Sequence, residues 1–94
     1  MLYSDWKEKS KGLKPDKRLL WDVKPSNIDF HEMRKLYVQR IIERGQDHDF
    51  YAAINFYGGL ENFIIIIKEV HYLSERSIAF VCKAFDLKEE ELGC

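Results

Sequence analysis

Phe63-Ile64-Ile65-Ile66-Ile67, at the centre of the stretch 60–70, decides the fold. Four consecutive isoleucines have the β-branched composition of a buried strand, and isoleucine loses side-chain freedom in a helix. At about 100° per residue, however, Leu60, Phe63, Ile64, Ile67, Val70 and His71 share one face, while Glu61, Lys68 and Glu69 stand away from it. A lone strand cannot satisfy its own backbone, and the chain has no second segment of comparable strength to pair with this one. The stretch is therefore read as a helix. Ile65 then falls in its polar sector, where it is either covered by the N-terminal segment or exposed.

The neighbours on both sides read as helices too. Downstream, Leu73-Ser74-Glu75-Arg76-Ser77 is a helix start with Ser74 as the cap and Glu75 in the first turn. Ile78, Val81, Cys82 and Phe85 form its inward stripe, and Phe80 lies opposite, between Arg76 and Lys83. Asp86-Leu87 ends this helix, and Lys88-Glu89-Glu90-Glu91 follows as an acidic turn. Upstream, Asp47 is the cap candidate of a short helix with Asp49 in its first turn. Phe50, Tyr51, Ala53, Ile54 and Tyr57 cluster on its wheel, Phe56 lies beyond their edge, and Gly58-Gly59 is the stop. Earlier still, Asp29 and Glu32 have capping-box spacing and open a helix whose arc holds Phe30, Met33, Tyr37, Val38, Ile41 and Ile42. Gly45 is read as its left-handed stop, with Arg40 and Arg44 set against the C-terminal dipole. The short run Leu19-Leu20-Trp21-Asp22-Val23 is halted by Lys24-Pro25 and is expected to lay Trp21 on the core.

The reading is an all-α chain: a compact bundle of four main helices behind an apolar lead-in. The order of the last two helices suits a helix-turn-helix pair. The 94 residues allow one domain. Residues 1–18 are set apart as a loosely ordered basic lead-in, with six basic and three acidic side chains, and residues 19–94 form the helical domain. With 46% hydrophobic and 33% charged residues the chain is a globule rather than a disordered polymer. A net charge of −1 excludes a generally polybasic nucleic-acid binder but leaves room for a local basic face. No apolar run exceeds five residues, so no membrane span is expected, and the start lacks a secretory stretch. Two cysteines, Cys82 and Cys94, are too few for a disulfide scaffold, and the cytoplasm is the expected compartment.

Leu20-Trp21-Asp22-Val23, Ile42-Glu43-Arg44-Gly45, Tyr57 with its following glycines, Leu73-Ser74, and the stretch 80–87 together carry a resemblance. From Leu19 onward the chain resembles a family of small bacterial domains of uncharacterised function. The resemblance implies a compact helical protein. Some members are encoded beside nucleotidyltransferase-like toxin genes, which implies an antitoxin or regulatory role. The sequence departs from that pattern at 64–67, where more charge is expected.

Reactive constellations do not emerge from the sequence. His31, His48 and His71 are far apart and form no i, i+4 pair with a ligand, so no metal and no cofactor is expected. His31 reads as a solvated first-turn residue and His71 as a partly buried imidazole. Cys82 on an inward stripe lacks the setting of a nucleophile, and Gly58-Gly59 lacks the lysine of a phosphate-binding loop. Neither catalysis nor a small-molecule substrate is expected. Arg34 and Arg44 fall in or at the edge of an apolar arc; they are expected to lay their stems along the core while their heads reach solvent or an acid such as Asp22 or Asp49, the alternative being an arginine reserved for a phosphate or a partner carboxylate.

Two functions remain. The first is a binding module for a protein partner, or for a second copy of itself, through Phe80, Arg76, Lys83 and Ile65. The second is DNA binding by the Ser74-capped helix, which would present Arg76, Ser77, Phe80 and Lys83, with the basic residues of 7–18 adding phosphate contacts.

Overall fold

The computed structural model describes residues 2–93; Met1 and Cys94 lie outside the described residues. Among the described residues five α-helices follow in order: α1 (Trp6–Lys9), α2 (Arg34–Arg44), α3 (Asp47–Phe56), α4 (Leu60–Glu69) and α5 (Glu75–Ala84). Short 3-10 turns occupy Lys17–Leu20, Pro25–Asn27 and Glu89–Glu91, and no strand occurs among the described residues. The isoleucine run is thus helical. Phe63, Ile66 and Ile67 are buried, Ile64 is half-buried, and Ile65 faces solvent at 56% exposure. The buried face is rotated towards Ile66, because α4 packs on both α2 and α3. His71 is exposed rather than partly buried: α4 stops at Glu69 and Val70 is extended, so helical spacing no longer applies there.

Asp29 caps a turn as expected, accepting the N–H groups of His31 at 2.9 Å and Glu32 at 3.2 Å, but the regular helix begins only at Arg34. Gly45 does end α2, though not as a left-handed residue. Its φ is −79°, and a Cβ there would sit 2.6 Å from the Ile41 carbonyl oxygen. Close approach, rather than handedness, demands glycine. Gly58 and Gly59 are the left-handed pair, with φ of 95° and 126°, and across them α3 and α4 turn through 102°.

The core is built from Tyr37, Val38 and Ile41 of α2, Phe50, Ala53 and Ile54 of α3, the buried face of α4, and Val81, Ala84 and Phe85 at the end of α5. The radius of gyration is 12.5 Å, against about 12 Å for one folded domain of this length. Tyr57 and Tyr37 bury their rings and spend their hydroxyls on loops: Tyr57 donates to the Phe30 carbonyl at 2.6 Å, and Tyr37 accepts the Asp16 N–H at 3.2 Å. Burial raises both phenols above the ordinary range, Tyr37 to about 12.

The N-terminal segment is docked, in contrast to the loose lead-in expected of it. Tyr3 is 4% exposed, its ring stacked on Phe50 at 4.8 Å and on Phe85 at 5.9 Å. The Leu2 N–H donates to the Ala84 carbonyl at 2.9 Å, and Arg18 pairs with the buried Asp49 at 2.6 Å. Asp49 also accepts the Gln46 N–H at 2.8 Å, which makes Gln46 rather than Asp47 the cap of α3. A segment rich in lysine can dock because its few apolar and aromatic residues, Leu2 apart, turn inward.

Trp21 differs most from expectation. It is 70% exposed, since Leu19 and Leu20 fill the inward side of the tight 3-10 turn and direct the next residue outward.

Candidate functional site

α5 carries the residues nominated for recognition. Ser74 caps it, accepting the Ser77 N–H at 3.2 Å, and Glu43 of α2 accepts from both Ser74 and Ser77 hydroxyls. This anchoring holds the helix with Val81, Ala84 and Phe85 inward and sends Arg76, Phe80 and Lys83 outward. Phe80 is 36% exposed, and its ring lies 5.7 Å from that of Phe50. It is therefore rooted on the core at one edge and open at the other.

Two shallow concavities flank Phe80. On one side Leu2, Lys83 and Ala84 complete an apolar depression, in which Leu2 is half exposed. On the other, Arg76 and Ser77 of α5 meet Glu43, Asp47 and Tyr3. Burial raises the Glu43 carboxyl, but the Ser77 and Ser74 hydroxyls and the Ser74 N–H outweigh it, with Arg76 adding attraction, so its pKa falls below the ordinary value. Tyr3 is pushed the other way, by burial first and then by the Asp47 carboxylate that accepts its hydroxyl at 3.0 Å.

Phe80, Arg76 and Lys83 are thus brought together, and Ile65 is not: it belongs to α4 and lines neither concavity. Leu2 joins the face without any local signal for it, because only the fold brings the N-terminus to the end of α5. The predicted ion pairs form with other arginines. Asp22 is bound by Arg40, whose Nη2 lies 2.8 Å from its second oxygen and whose Nη1 also reaches the Leu19 carbonyl at 3.1 Å. Asp49 is bound by Arg18, and Arg34 pairs with Glu69 at 3.3 Å near the surface. Arg44 is exposed and makes no ion pair among the described residues. Arg40 holds the Asp22 carboxyl below its ordinary value.

Among the described residues no group of three or more His, Cys, Asp or Glu side chains could hold a metal ion. Among the described residues no single helix is long and apolar enough to cross a membrane. Cys82 is half-buried rather than enclosed. The linker between α4 and α5 spans residues 70–74, longer than the roughly three- or four-residue turn of a helix-turn-helix, and Val70 and Leu73 are buried within it.

These features define a small all-helical domain with an apolar and basic face on its last helix. The sequence model of a family of unknown function (DUF6922) matches residues 16–67, more than half of the chain, and the chain belongs to that family. No curated protein and no solved structure matches it.

Proposed function

We propose that the chain is a non-catalytic interaction or regulatory module whose partner is a protein, docked on the outward face of α5. The observation that carries this reading is the exposed edge of Phe80, continuous with Leu2 and set between Arg76 and Lys83. An aromatic residue beside an arginine is a pairing that interfaces favour at their anchors, and a lysine such as Lys83 suits the polar rim. The resemblance to bacterial domains encoded beside nucleotidyltransferase-like toxins makes the neighbouring gene's product the partner to try, with this chain acting as a cytoplasmic antitoxin. Co-expression of the two products, followed by titration of the purified components, tests it. Phe80→Ala should weaken the complex by about tenfold or more. A chain that stays monomeric in light scattering and binds the neighbour equally well with Phe80→Ala overturns the proposal.

DNA binding by the same helix is the second reading, favoured by the exposure of Arg76 and Lys83 on one face. Two cations are few for an affinity dominated by phosphate neutralisation. A mobility shift with duplex DNA that weakens with salt and is lost in Arg76→Ala would select this reading instead.

A further inference from the structure

Tyr3 fills an aromatic box beside the α5 face. Its ring is stacked on Phe50 at 4.8 Å and on Phe85 at 5.9 Å, and Tyr51 meets it edge-on at 5.2 Å. At the mouth of the box the Asp47 carboxylate accepts the phenol at 3.0 Å. There the box opens onto the hollow of about 320 Å³ that Arg76 and Phe80 also line. Three rings and one acceptor make a receptor for a phenol, and the occupant shows which side chain it takes.

The segment that delivers this ring is lightly held. Tyr3 reaches the box with φ of 67°, a left-handed backbone that a bulky residue adopts only at a cost. Among the described residues one backbone–backbone hydrogen bond, from the Leu2 N–H to the Ala84 carbonyl, joins residues 2–15 to the rest of the domain. α1 buries none of its four residues; Trp6 lies against Gly59, and Asp5 accepts the Tyr51 hydroxyl at 2.8 Å. At Gly12 the φ of 78° and the absence of any atom within 4 Å of where a Cβ would stand leave the chain room to swing.

We propose that the box is a tyrosine-binding site kept filled by the chain's own N-terminal segment, and that a partner protein enters it by inserting a tyrosine in place of Tyr3. A ring carried on an ordinary backbone fills the slot without the left-handed strain and keeps the hydrogen bond to Asp47. Leu2 leaves with Tyr3, so the incoming segment also takes its place beside Phe80 and Ala84. The inference rests on the α5 reading for the kind of partner, but not for the box itself.

The test uses the full chain and a fluorescein-labelled peptide of its own residues 2–12, read by anisotropy. The native chain should bind the peptide weakly, because a box already filled lowers the apparent affinity by its open fraction. Tyr3→Ala, which empties the box, should bind it at least about tenfold more tightly. The peptide carrying Tyr3→Ala should not bind, and the one carrying Tyr3→Phe should bind severalfold more weakly for want of the donor to Asp47. Native-state hydrogen exchange decides the matter even where Tyr3→Ala fails to fold: the Leu2 amide of the native chain should be at least about tenfold less protected than the Tyr37 amide of α2. Peptide capture needs no neighbouring gene product, so failure here is separable from failure of the α5 interface. Equal affinity of the native chain and a folded Tyr3→Ala, no binding by that variant, indifference to the peptide's tyrosine, or a Leu2 amide as protected as that of Tyr37 overturns the proposal.

Discussion

The Ser74 hydroxyl that caps α5 donates to the Glu43 carboxylate of α2 at 2.9 Å, so the start of one helix is fixed by a side chain of another. Ser77, one turn into α5, donates to the same carboxylate. The orientation of the outward face of α5 therefore depends on this acid of α2.

Replacing Ser74 with Ala removes the cap and one donor to Glu43. The expected cost is about 1–2 kcal/mol, towards the upper end for a cap because a second hydrogen bond goes with it. A urea midpoint measured for the monomer checks this; no loss would mean that the start of α5 lies elsewhere.

Glu43 also sets a pH dependence. Its folded pKa lies below the ordinary 4.5. Over the window between the two values the unfolded chain carries more protons, so stability is present above pH 4.5 and is lost as pH falls through the folded value. Glu43→Gln should flatten the acid side of a stability-against-pH curve relative to the native chain. An unchanged acid limb would show that other carboxylates account for it.

Gly45→Ala should destabilise by about 1–3 kcal/mol, because the new Cβ meets the Ile41 carbonyl oxygen at 2.6 Å and the end of α2 must shift. Gly45→Asn separates the two explanations of this glycine. Asparagine tolerates a left-handed stop, so a mild effect would favour handedness, whereas the crowding found here makes it at least as costly as alanine.

Asp49 is 1% exposed and joins Arg18 of the N-terminal segment to the first turn of α3. Asp49→Asn keeps the size and removes the charge, and should cost about 1–3 kcal/mol. Arg18→Ala should cost at least as much, since it leaves the buried carboxylate with the Gln46 N–H but without its cation. Denaturant midpoints of the two single variants and the double variant measure their coupling.

Phe80→Ala should cost about 2 kcal/mol of folding stability, against about 3–5 kcal/mol for a fully buried phenylalanine, because the residue is one-third exposed and meets the core at Phe50. A loss in the buried range would make Phe80 a core residue and remove the anchor of the proposed interface.

Helix periodicity and capping are local, and that is why α4 and the Ser74 start could be read from the chain itself. The outward placement of Phe80, Arg76 and Lys83 followed from the same wheel. Trp21 could not be read this way: whether an aromatic after Leu19-Leu20 turns in or out depends on which of the three first fills the inward side. Nor could the arginine partners. Arg34, Arg40 and Arg44 all lie on α2, and only the path of the preceding turn brings Asp22 to Arg40. Leu2 was silent for the same reason, reaching the end of α5 from a distant part of the chain.

The Tyr3 ring, inserted between Phe50 and Phe85, bears on where this domain begins and ends. The portion recognisable by kinship, 16–67, omits both that plug and the last helix against which it rests. A fragment cut to those limits would lose Tyr3 and Phe85 from the interior and leave Phe50 open on that side.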